Sequence, residues 1–397
     1  MLTTFSILLI AACALAGAAA LGFRFRAARL PRWLPLAAGA VGGAVGAVVL
    51  MLPLGFCTFE PERDPLDQAF GVVLMLGGAA GVVALVGALL GVLSERRPLA
   101  DAPQQGQFKG WVLPLVLLAP TLTVLALFLY YPALDTFRLS TLLARLGAPR
   151  TAFICVKNFT DLVREPLYGQ IVLQSFALAF AIVVIGMSLA LLIATMAYQP
   201  IRGASIYRTL LIWPYSISPI VAGLIFLLLF NPTGGLINEA LNNLFGIRIG
   251  WLNDPAAAPW AVIIASVWKS LGFNVLFYIA GLQNVPKDLS EAAAIDGANA
   301  LQRFVRVTLP MLSPITFFLI ITNMTYAFFE SFGTIDALTR GGPLNSTTTM
   351  MYQIYEVGVQ NNDLGKGAAQ SIVLFLMVVV LTIIQFRTTA RSVNYGS

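Results

Sequence analysis

Apolar runs of about twenty residues recur from one end of the chain to the other, parted by short polar stretches, where a soluble chain would show amphipathic elements. A run of that length suits a helix crossing a hydrocarbon layer. The pattern predicts nine spans, at roughly 4–22, 34–55, 69–93, 111–133, 169–197, 207–230, 258–282, 313–335 and 367–386. The expected fold is therefore an all-α polytopic membrane protein with about nine transmembrane helices.

Composition agrees. The 397 residues are 58% hydrophobic and 11% charged, with a mean hydropathy of +0.83, which is a membrane composition. The net charge of +6 does not point to nucleic acid, because the basic residues sit in short inter-span loops and form no aromatic-interleaved patch. They read as topology signals. The loop FRFRAARLPRW carries Arg24, Arg26, Arg29 and Arg32 and no acid, which places it in the cytoplasm, and FCTFEPERDPLDQ, with four acids and one Arg, belongs outside. Alternation puts 23–33, 94–110, 198–206 with Arg208, 287–310 and the C-terminal tail inside. These segments hold 14 basic residues against five acids, and the rest of the chain 10 against 13. Loop 134–168, expected outside, runs against the trend with Arg138, Arg145, Arg150, Lys157 and Arg164. MLTTFSILLIAAC lacks the basic start of a cleaved signal. It is expected to be a true first span, with the N-terminus outside and the C-terminus cytoplasmic.

Chemistry is narrowed further by what the sequence lacks. No histidine is present, which removes histidine acid–base catalysis and most transition-metal sites. Cys13, Cys57 and Cys155 show no paired spacing, and whether Cys57 and Cys155, both expected outside, form a disulfide is left open. No G-x-x-x-x-G-K-[ST] occurs, so the chain cannot cradle ATP itself. An intramembrane enzyme would need a Ser or Asp pair at catalytic spacing, and a secondary transporter would need paired ionisable residues and an inverted repeat. None of these is found.

Spans two and three are rich in small residues. Gly39 and Gly43, and Gly42 and Gly46, stand four apart, a spacing that lets helix backbones approach closely. Segment 94–110, SERRPLADAPQQGQFKG, reads as a linker. It divides a three-helix extension, residues 1–110, from a six-span domain, residues 111–397.

The most charged and ordered interruption is EAAAIDGANALQRFVRVTLP, residues 291–310. Its pattern predicts a helix from about Leu289 to Asp296, a break at Gly297, and a second helix from about Leu301 to Val307 stopped at Pro310. Ser290, Glu291 and Asp296 are expected near helix ends. Ala292, Ala293, Ile295, Phe304 and Val305 form an apolar ridge. Two short helices meeting at a glycine make a knob suited to a groove on another protein.

The stretch resembles the EAA loop of binding-protein-dependent ABC importers, whose pattern is E-A-A, three residues, G, nine residues, a branched aliphatic, any residue, and L-P. Glu291, Ala292, Ala293, Gly297, Val307, Leu309 and Pro310 stand at the matching positions. Similarity to the glycerol-3-phosphate branch of the carbohydrate importers extends over about 110–397, through NPTGGLIN, SVWKSLGFNVLFYIAGLQNVP, TYAFFESFGTIDALTRGGP and AAQSIVLF. The three-helix extension departs from the six-span form of that branch; extra N-terminal helices also occur in the related maltose permease. The resemblance implies a six-helix, maltose-permease-like core in a bacterial inner membrane. It also implies a coupling role for Glu291, Ala292, Ala293, Asp296, Gly297, Leu309 and Pro310 against an ATPase. The implied partners are a second permease subunit, two ATP-binding subunits and an external solute-binding protein, which would meet loops 231–257 and 336–366. ATP and Mg would belong to the partners, with no cofactor on this chain.

Charged side chains within spans are costly and usually face a cavity or a partner. Lys269 and Glu330 are the two that stand out, with Asn274 and Asn323 as further polar groups at depth. Lys269, Ser270 and Phe273 share a helix face. The resemblance places this face, and that from Asn323 to Ser331, around the substrate. Lys269 is expected to attract the phosphate of a small polyol phosphate, with neutral hydrogen bonds from Asn274, Tyr326 and Ser331. The alternatives are a Lys269–Glu330 pair that merely neutralises itself, and a neutral sugar or oligosaccharide as substrate. WPYSISP sets Pro214 and Pro219 in an apolar run, which predicts a kinked, cavity-facing helix with Ser216 and Ser218 as hydrogen-bonding groups.

Overall fold

The computed structural model describes residues 2–24, 34–44, 76, 79–84, 86–87, 112–147, 152–198 and 204–389. It is built almost wholly of helices. Five of them are long and apolar enough to cross a bilayer: Val116–Ser140, Pro166–Ala197, Ala258–Gln283, Ser313–Leu338 and Leu364–Arg387. A bent pair, Arg208–Ser216 with Pro219–Leu229, makes a sixth when it is counted as one span. These six coincide with the last six spans expected from hydropathy. Expectations for Cys57, Gly46 and the linker 94–110 fall outside the described residues.

The chain divides into two compact units, Met1–Arg164 with Asp363–Ala369, and Glu165–Asn362 with Gln370–Ser397. In the first unit the helix Leu2–Arg24 lies against Leu34–Ala44 at backbone distance. A methyl on Gly39 would collide with the Gly17 carbonyl and one on Gly43 with the Cys13 carbonyl, whereas Gly42 faces Val86 on the opposite side. The four-residue glycine spacing thus serves helix packing. The long helix ending at Ser140 leads into a two-stranded antiparallel ribbon that pairs Leu142 with Phe153 and Leu143 with Ala152. Asn158 holds that corner, its amide donating to the carbonyls of Ser140 at 2.8 Å and Leu142 at 3.2 Å. Cys155, buried beside it, is disulfide-bonded.

In the second unit the helices Pro166–Ala197 and Ala258–Gln283 form the main packing pair. Small residues allow their neighbours close. A methyl on Gly272 would come within 2.6 Å of the Leu211 carbonyl oxygen, and one on Gly223 within 2.7 Å of Ala337 Cβ. Phe226, Phe230, Ala261, Val262, Ala265, Ile335, Leu338 and Tyr352 make a buried apolar cluster.

The kink expected at WPYSISP is a complete break. The chain passes through a 3-10 turn at Trp213–Ser216 and an extended Ile217, and restarts with Ser218 as N-cap and Pro219 in the first turn. The two helices meet at 104°. Two prolines five residues apart, Pro214 and Pro219, remove donors that would carry a continuous ladder, and Pro219, with its fixed φ, suits a helix start. Ser218 Oγ accepts the Val221 N–H at 3.4 Å, so its hydrogen bond serves the cap.

Candidate functional site

Three helices of the second unit enclose a cavity of about 310 Å³, lined by Tyr215, Lys269, Ser270, Phe273, Asn323, Tyr326 and Glu330, with Ile321, Thr322 and Thr325 completing the wall. Lys269 and Phe273 face it from one helix, as their spacing predicts. Tyr215 comes from the broken segment and was not foreseen. It reaches the cavity only because of the break, which aims the 3-10 turn at the Lys269 face.

The Lys269 side chain is 6% exposed, and its ammonium lies 5.2 Å from the centroid of the Tyr215 ring and 5.1 Å from that of Tyr326. Both rings offer their faces to the cation. Glu330 Oε2 stands 3.9 Å from the ammonium, on a side chain that is 63% exposed. Rings continue the wall away from Tyr215: Tyr215 to Phe273 at 5.2 Å, Phe273 to Phe277 at 4.7 Å and Phe277 to Phe318 at 5.0 Å.

The neutral groups are arranged differently from the sequence expectation. Asn274 is fully buried, and its amide exchanges two hydrogen bonds with Asn323, at 2.9 Å and 2.6 Å, while Asn323 also donates to the Leu319 carbonyl at 2.8 Å. Asn274 therefore joins two helices and is not presented to the cavity. Ser331 is buried too, donating to the Ala327 carbonyl at 2.6 Å. This bond has a local cause. Tyr326–Glu330 forms a π-turn in which the Ser331 N–H bonds the Tyr326 carbonyl, leaving to the Ser331 hydroxyl the Ala327 carbonyl that the N–H would take in an α-helix. Tyr326 lines the cavity with its ring turned toward Lys269, and its buried hydroxyl lies beside Thr334. Ser270, Thr322 and Thr325 donate to carbonyls of their own helices. That leaves the Lys269 ammonium as the charged donor of the cavity.

The second region is 287–312. Its first helix is Lys287–Ile295, so Ser290 and Glu291 lie within the helix rather than at its ends, and Asp296 is the C-cap. Gly297 has φ +83°; the Gly297 N–H bonds the Ala294 carbonyl at 3.1 Å and the Ala298 N–H bonds the Ala293 carbonyl at 2.9 Å. This is a Schellman ending, and its left-handed residue favours glycine. Two residues on, Asn299 and Gln302 form a reciprocal capping box, with bonds of 2.8 Å and 2.9 Å, that starts the next helix. The sequence reading overlooked it, although N-x-x-Q ahead of an apolar stretch is its signal.

Pro310 does not stop that helix. The backbone stays helical through a π-turn, Phe304–Thr308, and through Leu309–Met311, to a turn at Leu312. A proline ring in an α-helix presses on the carbonyl four residues back. Here the wider π-turn, closed by the Leu309 N–H on the Phe304 carbonyl, precedes it and gives it room. The same arrangement occurs where the Tyr131 N–H bonds the Ala126 carbonyl ahead of Pro132. The knob exposes an apolar ridge of Ile295, 87% exposed, with Leu289, Leu301 and Val305, while Phe304 is half-buried. Glu291, Ala292 and Asp296 are exposed and Ala293 is half-buried.

A bundle of apolar spans with a small cavity at depth and an exposed helical knob between two of the spans is the form of a transport permease. The chain belongs to the family of binding-protein-dependent transport system inner membrane components, which matches residues 182–391. It is a multi-pass inner-membrane protein. It is 40% identical over 298 residues, 72% of this chain and 97% of the relative, to the sn-glycerol-3-phosphate transport system permease protein UgpA of Pectobacterium atrosepticum. The UgpA of Brucella abortus is 40% identical over 293 residues, 74% of this chain and the whole of that protein. In fold the chain is similar to a chain of a bacterial alginate ABC transporter solved with an alginate pentasaccharide-bound periplasmic protein, with a TM-score of 0.63, 21% identity, and coverage of 72% of this chain and 96% of the other.

Proposed function

We propose that this chain is one of two permease subunits of an ATP-driven importer for sn-glycerol 3-phosphate or a related polyol phosphate. The observation that carries the reading is the buried Lys269 ammonium on the cavity wall, in a chain 40% identical to permeases named for glycerol 3-phosphate. A lysine holds an anion as a point charge, without the fixed two-pronged geometry of arginine, and so releases it more readily. Lys269 attracts the phosphate, Tyr215 and Phe273 flank the polyol, and Asn274 and Ser331 keep the wall in place.

On the cytoplasmic side Glu291, Ala292, Ala293, Asp296, Gly297, Leu309 and Pro310 belong to the element that engages an ATPase subunit. The partners are a second permease, two ATP-binding subunits that hold ATP and Mg, and an external solute-binding protein that meets loops 231–257 and 336–366. The N-terminus lies outside and the C-terminus inside. Residues 1–110 form an extension ahead of a permease domain at 111–397. Closure of the ATPases draws the coupling elements together, and the spans open outward to receive substrate.

Uptake of labelled glycerol 3-phosphate by cells expressing the whole importer tests this reading, with glycerol and maltose as neutral competitors. Uptake resistant to both competitors and lost in Lys269→Gln supports it. Inhibition by maltose, or unchanged glycerol 3-phosphate uptake in Lys269→Gln, overturns it.

A further inference from the structure

We infer that Glu330 is an exchangeable counterion for Lys269: it occupies the ammonium in the empty permease, gives way to the phosphate of an entering substrate, and returns to hasten release. The inference rests on the polyol-phosphate reading above.

The two members of the pair are held very differently. Lys269 is 6% exposed and lies between the faces of Tyr215 and Tyr326, which hold its ammonium in place. Glu330 is 63% exposed and ends the π-turn Tyr326–Glu330, with open cavity into which its carboxylate can swing. Its approach of 3.9 Å is an ion pair but too long for a hydrogen bond, and among the described residues the ammonium has no hydrogen-bond partner. A phosphate oxygen would bind the same ammonium at about 2.7–2.9 Å and displace the looser carboxylate. Glu330 is also the only carboxylate on the cavity wall among the described residues. A phosphate and a carboxylate competing for one ammonium repel each other, which favours exchange over joint occupancy.

The test is equilibrium binding of glycerol 3-phosphate and of glycerol to the complete importer in lipid nanodiscs, together with the maximal uptake rate. Glu330→Gln is expected to bind glycerol 3-phosphate about fivefold more tightly, the scale of an open ion pair. It is expected to leave glycerol binding unchanged and to lower the maximal uptake rate. Glu330→Asp, which keeps a carboxylate, is expected to return both values toward those of the unaltered protein. The inference is overturned if Glu330→Gln binds glycerol 3-phosphate no more tightly than the unaltered protein, or binds it more tightly with no loss of rate. Binding abolished by Lys269→Gln but indifferent to Glu330→Gln removes only the counterion exchange. Failure of the unaltered importer to bind glycerol 3-phosphate removes the substrate reading with it.

Discussion

The exposed knob at 287–312 and the cavity around Lys269 are specified in opposite ways. In the knob every defining bond closes within about five residues: the Schellman ending at Gly297, the capping box of Asn299 and Gln302, and the π-turn ahead of Pro310. In the cavity the defining contacts join distant segments, as Asn274 joins Asn323 across 49 residues and Tyr215 meets Lys269 and Phe273 from a separate helix. The knob can therefore present the same surface while the spans move. The cavity depends on how those spans sit, which suits a site that must both hold and release.

Substitutions separate the two kinds of specification. The largest effect is expected at the cavity. Lys269→Gln removes a charged donor worth about 1.5–3 kcal/mol, and uptake of an anionic substrate should fall by at least tenfold while the amount of protein in the membrane is unchanged. Next is Gly297→Val. Open space surrounds the position, so the cost is that of a left-handed backbone alone, about 1–2 kcal/mol. Substrate-stimulated ATP hydrolysis should drop without a change in binding of glycerol 3-phosphate. Asn274→Leu should cost about 1 kcal/mol, in the range measured for hydrogen bonds between membrane helices, and lower the midpoint of thermal unfolding in detergent. It strands an amide 49 residues away, so restoring stability by Asn323→Leu would confirm that the pair acts as a unit. Asn299→Ala is the smallest, about 0.5–1 kcal/mol for a lost cap, and should appear as faster proteolysis confined to the knob.

The same contrast explains what the sequence disclosed. Hydropathy located the six spans of 111–397 because a bilayer demands apolar length whatever the packing. Gly297 was legible because a break between two short helices calls for a residue that tolerates positive φ, and the glycine spacing at Gly39 and Gly43 because close helix approach leaves no room for a side chain. Pro310 was misjudged as a stop because a slip to the i→i−5 pattern upstream has no simple residue signature. Tyr215 was missed for a different reason. Two prolines announce a disturbed helix but not a 104° turn, and only that turn carries its ring to Lys269. Asn274 and Asn323 were read as polar groups at depth, yet that each is the other's partner depends on tertiary geometry, and the carbonyl that takes the Ser331 hydroxyl is freed by a π-turn that no simple residue pattern announces.

The account turns on the knob being the face that a separate ATPase grips, and cysteine crosslinking in the assembled importer tests that most directly. Ile295 and Leu344 are both strongly exposed apolar side chains, 87% and 89%, the first on the knob and the second in the loop expected on the outer side. Ile295→Cys should crosslink to the ATP-binding subunit and stop uptake when it does, while Leu344→Cys should not reach that subunit. Crosslinking of the ATP-binding subunit to Leu344→Cys, or uptake undiminished with Ile295→Cys fully crosslinked, would contradict it.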